Sequence, residues 1–131
     1  MTRKINWNDY RNFVEDEFRC KQTGRCEMNP EFMDRLQELR TDYGKPMIIN
    51  SGFRHVTHPV EMRKARPGSH TFGRAVDVLV SHEDALDLII LARMYGFTGF
   101  GVAQKAGSTR FIHLDDMEPS ATRPRPTIWS Y

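Results

Sequence analysis

Nine residues, Ser69-His70-Thr71-Phe72-Gly73-Arg74-Ala75-Val76-Asp77, set an imidazole and a carboxylate seven positions apart where an apolar run begins. From Arg74 to Val80 the residue types alternate as in a strand, with Ala75, Asp77 and Leu79 on one face and Val76, Val78 and Val80 on the other. Asp77 is thus a charge among apolar neighbours. A carboxylate there is costly unless it is paired, hydrogen-bonded or bound to a cation. His70 is the nearest partner, in a loop that Gly73 lets turn sharply. A second run, Arg110-Phe111-Ile112-His113-Leu114-Asp115, alternates the same way and puts Phe111, His113 and Asp115 on one face. Two imidazoles and one carboxylate, His70, His113 and Asp77, make a three-ligand zinc set that leaves a fourth position for water or substrate. Structural zinc sites usually close with four protein ligands, so this pattern is the catalytic one. The competing reading is a satisfied polar cluster without metal.

The spaced motif Ser69-x-His70-x-x-Gly73-x-Ala75-x-Asp77, followed by Phe111-Ile112-His113-Leu114-Asp115, resembles the zinc D-alanyl-D-alanine carboxypeptidase and L-alanyl-D-glutamate endopeptidase family of peptidoglycan hydrolases. Ile49-Asn50-Ser51-Gly52-Phe53-Arg54 is similar to that family's Ser-Gly-Tyr-Arg motif, and the likeness runs from about Phe18 to Trp129-Ser130-Tyr131. The resemblance implies that His70, Asp77 and His113 bind Zn2+, that Arg54 and Ser69 contact substrate, Arg54 through a carboxylate, and that the reaction is hydrolysis of an amide bond in peptidoglycan stem peptides, by an endolysin or a carboxypeptidase.

A metal-assisted hydrolysis also needs a group to take the water's proton. Asp115 is the first candidate, two residues from His113 on the same strand face. The alternative is that it orients the His113 ring, with Asp116 or Glu118 then approaching from the tail. The sequence departs from the family in one place: many similar enzymes carry an acid three positions before the second His, where this chain has Arg110. The same fold serves hedgehog signalling domains, which bind and do not cut. The alternative function is therefore a zinc-stabilised wall-binding or virion structural module.

These residues need a scaffold. At 131 residues the chain is expected to form one domain, 1–131, with a single core. A net charge of +2 is too small to argue for nucleic acid, so no nucleic-acid partner is expected, and a monomer acting on peptidoglycan peptide is. No apolar run is long enough to cross a membrane, and Met1 to Asn8 lacks the apolar centre of a secretory signal, which points to synthesis in the cytoplasm with release by a partner. Cys20 and Cys26 have no second Cys or His pair for a zinc ribbon and are read as reduced thiols; similar proteins often carry cysteines in this region, so a disulfide stays open.

The apolar spacing predicts a short helix near Asn8 to Val14, facing inward with Trp7, Tyr10, Phe13 and Val14. Asn29 and Pro30 open a second helix that runs to Tyr43, buries Phe32, Leu36, Leu39 and Tyr43, and stops at Gly44. Met47 to Asn50 reads as a strand, and 55–68 as an exposed loop in which His55 and His58 are surface residues. Arg54, between strand and loop, is placed at the cleft rim. Ser81 and Asp84 suggest a capping box for a helix that buries Leu88, Ile89, Ala92 and Tyr95, with His82 on its surface. Gly99 to Val102 is a strand, and Lys105 to Thr109 turns into the His113 strand. Trp129 is either a core plug or a wall of the substrate groove. Together these give an α+β domain, a small, mainly antiparallel sheet with helices packed on it and the site on its open face; the resemblance implies that it is hedgehog/D-Ala-D-Ala-peptidase-like.

Overall fold

The computed structural model of the chain describes residues 3–131; Met1 and Thr2, part of the expected 1–131 domain, lie outside it. Three helices, α1 (Pro30–Tyr43), α2 (Pro59–Met62) and α3 (His82–Met94), accompany five strands, β1 (Ile48–Ser51), β2 (Ala75–Leu79), β3 (Gly99–Ala103), β4 (Phe111–Asp115) and β5 (Thr127–Ser130). The strands form one sheet in the order β1-β2-β4-β3-β5, antiparallel except where β5 runs parallel to β3. The expected α+β class and mainly antiparallel sheet are what the chain adopts.

α1 begins where the Asn29 side chain accepts from the backbone N–H groups of Glu31 and Phe32, with Pro30 in the first turn. It ends at Gly44, whose φ of 70° lies in the left-handed region that lets the Gly44 N–H return to the Arg40 carbonyl. Its buried stripe is Phe32, Met33, Leu36 and Leu39. α3 adds Ala85, Leu88 and Ala92, and the inner sheet face adds Val76, Val78, Phe100, Ile112 and Leu114, so one core lies between sheet and helices. Each large apolar side chain removed from water there stabilises by roughly 1.5–3 kcal/mol.

Three local expectations are corrected. There is no helix over 8–14: Trp7–Asp9 and Glu15–Phe18 form separate 3₁₀ turns, and Val14 is exposed. Asn6 caps the first turn by accepting from Asn8 N–H, and Trp7 and Phe13 both pack against Phe18, with ring centroids at 5.3 and 5.5 Å. Phe18 lies outside the helical window, and that aromatic packing outweighs a short helix of poor formers. The 55–68 segment is not all loop, because His58 caps α2 by accepting from Val60 N–H, with Pro59 at its first position. Finally, Ser81 makes no side-chain cap bond; α3 starts from His82 at φ 56°, and the Asp84 carboxylate binds Lys45 at 2.7 Å.

Candidate metal centre and cleft

The site lies along one row of the sheet. Ser51, Asp77, His113, Gly101 and Trp129 stand side by side on β1, β2, β4, β3 and β5. A register shift between Ile49 and Ser51 aligns Ser51 with Asp77 and brings Gly52 up to the site. Gly52 permits a close approach: a Cβ there would stand 2.7 Å from Phe18 Cα. Its carbonyl accepts from His70 Nδ1 at 2.7 Å. That bond fixes the tautomer and turns the Nε2 lone pair inward. The loop carrying His70 is held by Gly73, whose φ of 66° and contact with the backbone of Glu27 and Asn29 leave no space for a side chain.

His70 Nε2 lies 3.3 Å from Asp77 Oδ1, and His113 Nδ1 lies 3.1 Å from the same oxygen. One ligand atom from each of the three residues falls within 4.8 Å of the others, and all three side chains are buried. Donors about 2 Å from a common tetrahedral ion stand roughly 3.3 Å apart, so the two shortest spacings fit such an ion. Burial lowers the pKa of His70 and favours its neutral, ligating form. Burial also opposes charge on His113, but hydrogen bonds to Asp115 and Asp77 outweigh it and raise the pKa. Asp77 is desolvated too, yet its hydrogen bonds to His113 and His70 hold it well below the usual carboxylate range, so it stays an anionic donor. The residues expected as ligands are brought together, and their donor chemistry suits a divalent metal.

Asp115 sits behind this group. Its Oδ2 is 2.7 Å from His113 Nε2 and also accepts from Arg125 at 2.8 Å; its Oδ1 accepts from Arg125 Nε at 2.9 Å and from Met117 N–H at 3.3 Å. The side chain is fully buried, and against that burial the bonds to His113 and Arg125 bring its pKa down to about 2. Space for the carboxylate comes from Gly99, since a Cβ there would collide with both of its oxygens. Asp116 is locked elsewhere, forked by Arg74 and bonded by Arg35, each at 2.9 Å, and Glu118 is exposed. Arg110 bonds the Gln104 carbonyl and approaches His82, beside α3 and away from the cleft.

The cleft over the three candidate ligand residues has a volume of about 420 Å³. Ser69, with its hydroxyl 3.4 Å from His113 Nε2, and Arg54 both line it. Arg54 is held from behind by Glu61 at 3.3 Å and faces Asp77 Oδ2 at 3.5 Å. Glu61, which the sequence reading missed, is buried and bonded to Lys64 Nζ and Gly68 N–H, both at 2.9 Å. The His58-Pro59 start signal of α2 was the clue that a structured turn would carry it. Trp129 is a wall, not a core plug: its ring centroid is 5.1 Å from that of His113, with the Arg125 guanidinium 5.2 Å from the indole. Gly101 makes room for that contact, since a Cβ there would come within 2.9 Å of both His113 and Trp129. His55, His58 and His82 are outside the cleft, and Cys20 and Cys26 are free thiols.

A search of curated proteins returned no match to the chain. A family model described as Peptidase M15 matches residues 11–115, the span that contains Arg54, Ser69, His70, Asp77, His113 and Asp115. The chain belongs to the peptidase M15 family.

Proposed function

We propose that the protein is a zinc-dependent hydrolase of an amide bond in peptidoglycan stem peptides, of the endolysin or D-alanyl-D-alanine carboxypeptidase type. The observation that carries this reading is the convergence of His70, Asp77 and His113 on the floor of an open cleft, in a chain of a peptidase family. Bound by those three residues, Zn2+ would supply Lewis acidity to the scissile carbonyl and acidify water. His70 is presented by the Gly52 carbonyl and His113 by Asp115. Arg54, braced by Glu61, offers a planar fork suited to a substrate carboxylate. Trp129 covers one side of the cleft and limits water there.

Of the two roles open to Asp115, its contacts favour the orienting one. Both oxygens are engaged by His113, Arg125 and Met117, and neither is exposed. A second reading, a zinc-stabilised module that binds wall peptide without cutting it, is favoured by one observation: among the described residues Asp77 is the sole acidic side chain that lines the cleft. The deciding experiment incubates zinc-loaded protein with purified Gram-negative peptidoglycan and follows released peptides and new amino termini by mass spectrometry. Fragments absent from a His113→Ala control would support hydrolysis. A zinc-loaded protein that releases nothing would overturn it in favour of the binding module.

A further inference from the structure

Among the described residues four cations line the cleft, and three have a carboxylate neighbour. Arg54 lies against Glu61 and Asp77, Lys64 pairs with Glu61, and Arg125 forks onto Asp115. Arg123 is the fourth. No carboxylate lies within ion-pair distance of it among the described residues, and its guanidinium stacks 5.6 Å from the centre of the Phe72 ring. Phe72 has half its surface exposed, at the end of the turn that carries His70. Reciprocal backbone hydrogen bonds between Ser120 and Arg123, at 2.9 and 3.2 Å, fix the turn from which the side chain projects. Arg123 is therefore held on an aromatic face with its in-plane donors unclaimed by any acid. A stacked guanidinium is suited to a planar carboxylate, which it can bind through paired N–H bonds.

Arg123 also lies beyond the part of the chain that the family model matches, which ends at Asp115. The metal-ligand residues, Arg54 and Ser69 fall inside the match, whereas the wall built by Arg123, Arg125, Trp129 and Tyr131 falls outside it.

We propose that Arg123, stacked on Phe72, is a specificity residue that binds a second substrate carboxylate, so the cleft selects acidic peptides bearing at least two carboxylates, one for Arg54 and one for Arg123. This deepens the peptidase reading and rests on it for the class of peptide.

The test uses zinc-loaded full-length protein and two wall stem tetrapeptides, one with a free glutamyl α-carboxylate and one with that group as carboxamide. Binding is measured by isothermal titration calorimetry, and cleavage is followed in the same samples. The wild-type protein should bind the acid roughly tenfold or more tighter than the amide, as expected for charge-assisted hydrogen bonds. Arg123→Gln should bring that ratio close to one. Phe72→Leu, which removes the ring and leaves the cation, should keep only part of it. Equal binding of both peptides by wild type, an undiminished ratio in Arg123→Gln, or no binding of either peptide would overturn the proposal. Preferential binding of the acid without cleavage of either peptide would instead overturn the hydrolytic reading and leave this one standing.

Discussion

Asp115 bonds His113 Nε2 at 2.7 Å while its two oxygens are forked by Arg125, so one buried carboxylate holds both the His113 ring and the arginine that lies over Trp129. Asp115→Asn keeps the shape but weakens that hold. Zinc affinity should fall roughly ten- to hundredfold, with activity recovered by added zinc. If Asp115 were instead the proton acceptor, turnover would fall by about 10²-fold or more at full zinc occupancy. Comparing activity with and without excess zinc decides between them.

His70→Ala and His113→Ala should each lose the bound zinc, since each removes one of three protein donors. Elemental analysis of the purified variants against about one zinc per wild-type chain is the check. Full occupancy in the double variant would end the ligand assignment, and tight zinc in Asp77→Ala would remove only Asp77 from it.

Arg54→Lys keeps the charge but loses the fork and its brace on Glu61. The Michaelis constant for wall peptides should rise by roughly tenfold, with zinc content near that of wild type. Unchanged kinetics would refute the substrate role of Arg54.

Glu61 ties together the Gly68 backbone, Lys64 and Arg54. Burial by itself would raise its pKa, but the bonds from Gly68 and Lys64 outweigh this and hold it below the ordinary 4.5. A folded pKa below the unfolded one means that the stabilisation is present above about pH 4.5 and is lost as pH falls through the folded value. Thermal melts of Glu61→Gln between pH 7 and 3 should therefore be less steep on the acid side than those of wild type. At neutral pH the variant should be less stable by roughly 1–3 kcal/mol.

Gly99→Ala would thrust a methyl group into the Asp115 carboxylate. Overpacking of this kind costs about 1–3 kcal/mol, and here it should also displace His113 and weaken zinc binding. Calorimetric unfolding and a zinc titration on one sample would expose a variant that melts and binds like wild type, contrary to this expectation.

The shared face of Asp77, His113 and Asp115 was legible because a strand's period of two leaves β2 and β4 little freedom, whereas His70 reaches that face from the turn before β2. Caps made α1 legible in the same way, through Asn29, Pro30 and Gly44. Sequence spacing does not say which imidazole nitrogen faces Asp115, so it left that residue's role open. Nor did it reveal β5, whose pairing with β3 joins residues far apart along a proline-rich tail. Trp7, Tyr10 and Phe13 are part of the inward cluster, but through irregular turns stabilised by contact with Phe18.

The chain has two tryptophans. Trp7 is packed among Tyr10 and Phe18, while Trp129 lies tilted against His113 under a guanidinium. The second indole is consequently a built-in optical sensor: its emission should respond when the neighbouring imidazole changes charge or the cleft fills. In a Trp7→Phe background the remaining fluorescence would report loading of the centre in real time, with no dye attached and no dependence on turnover.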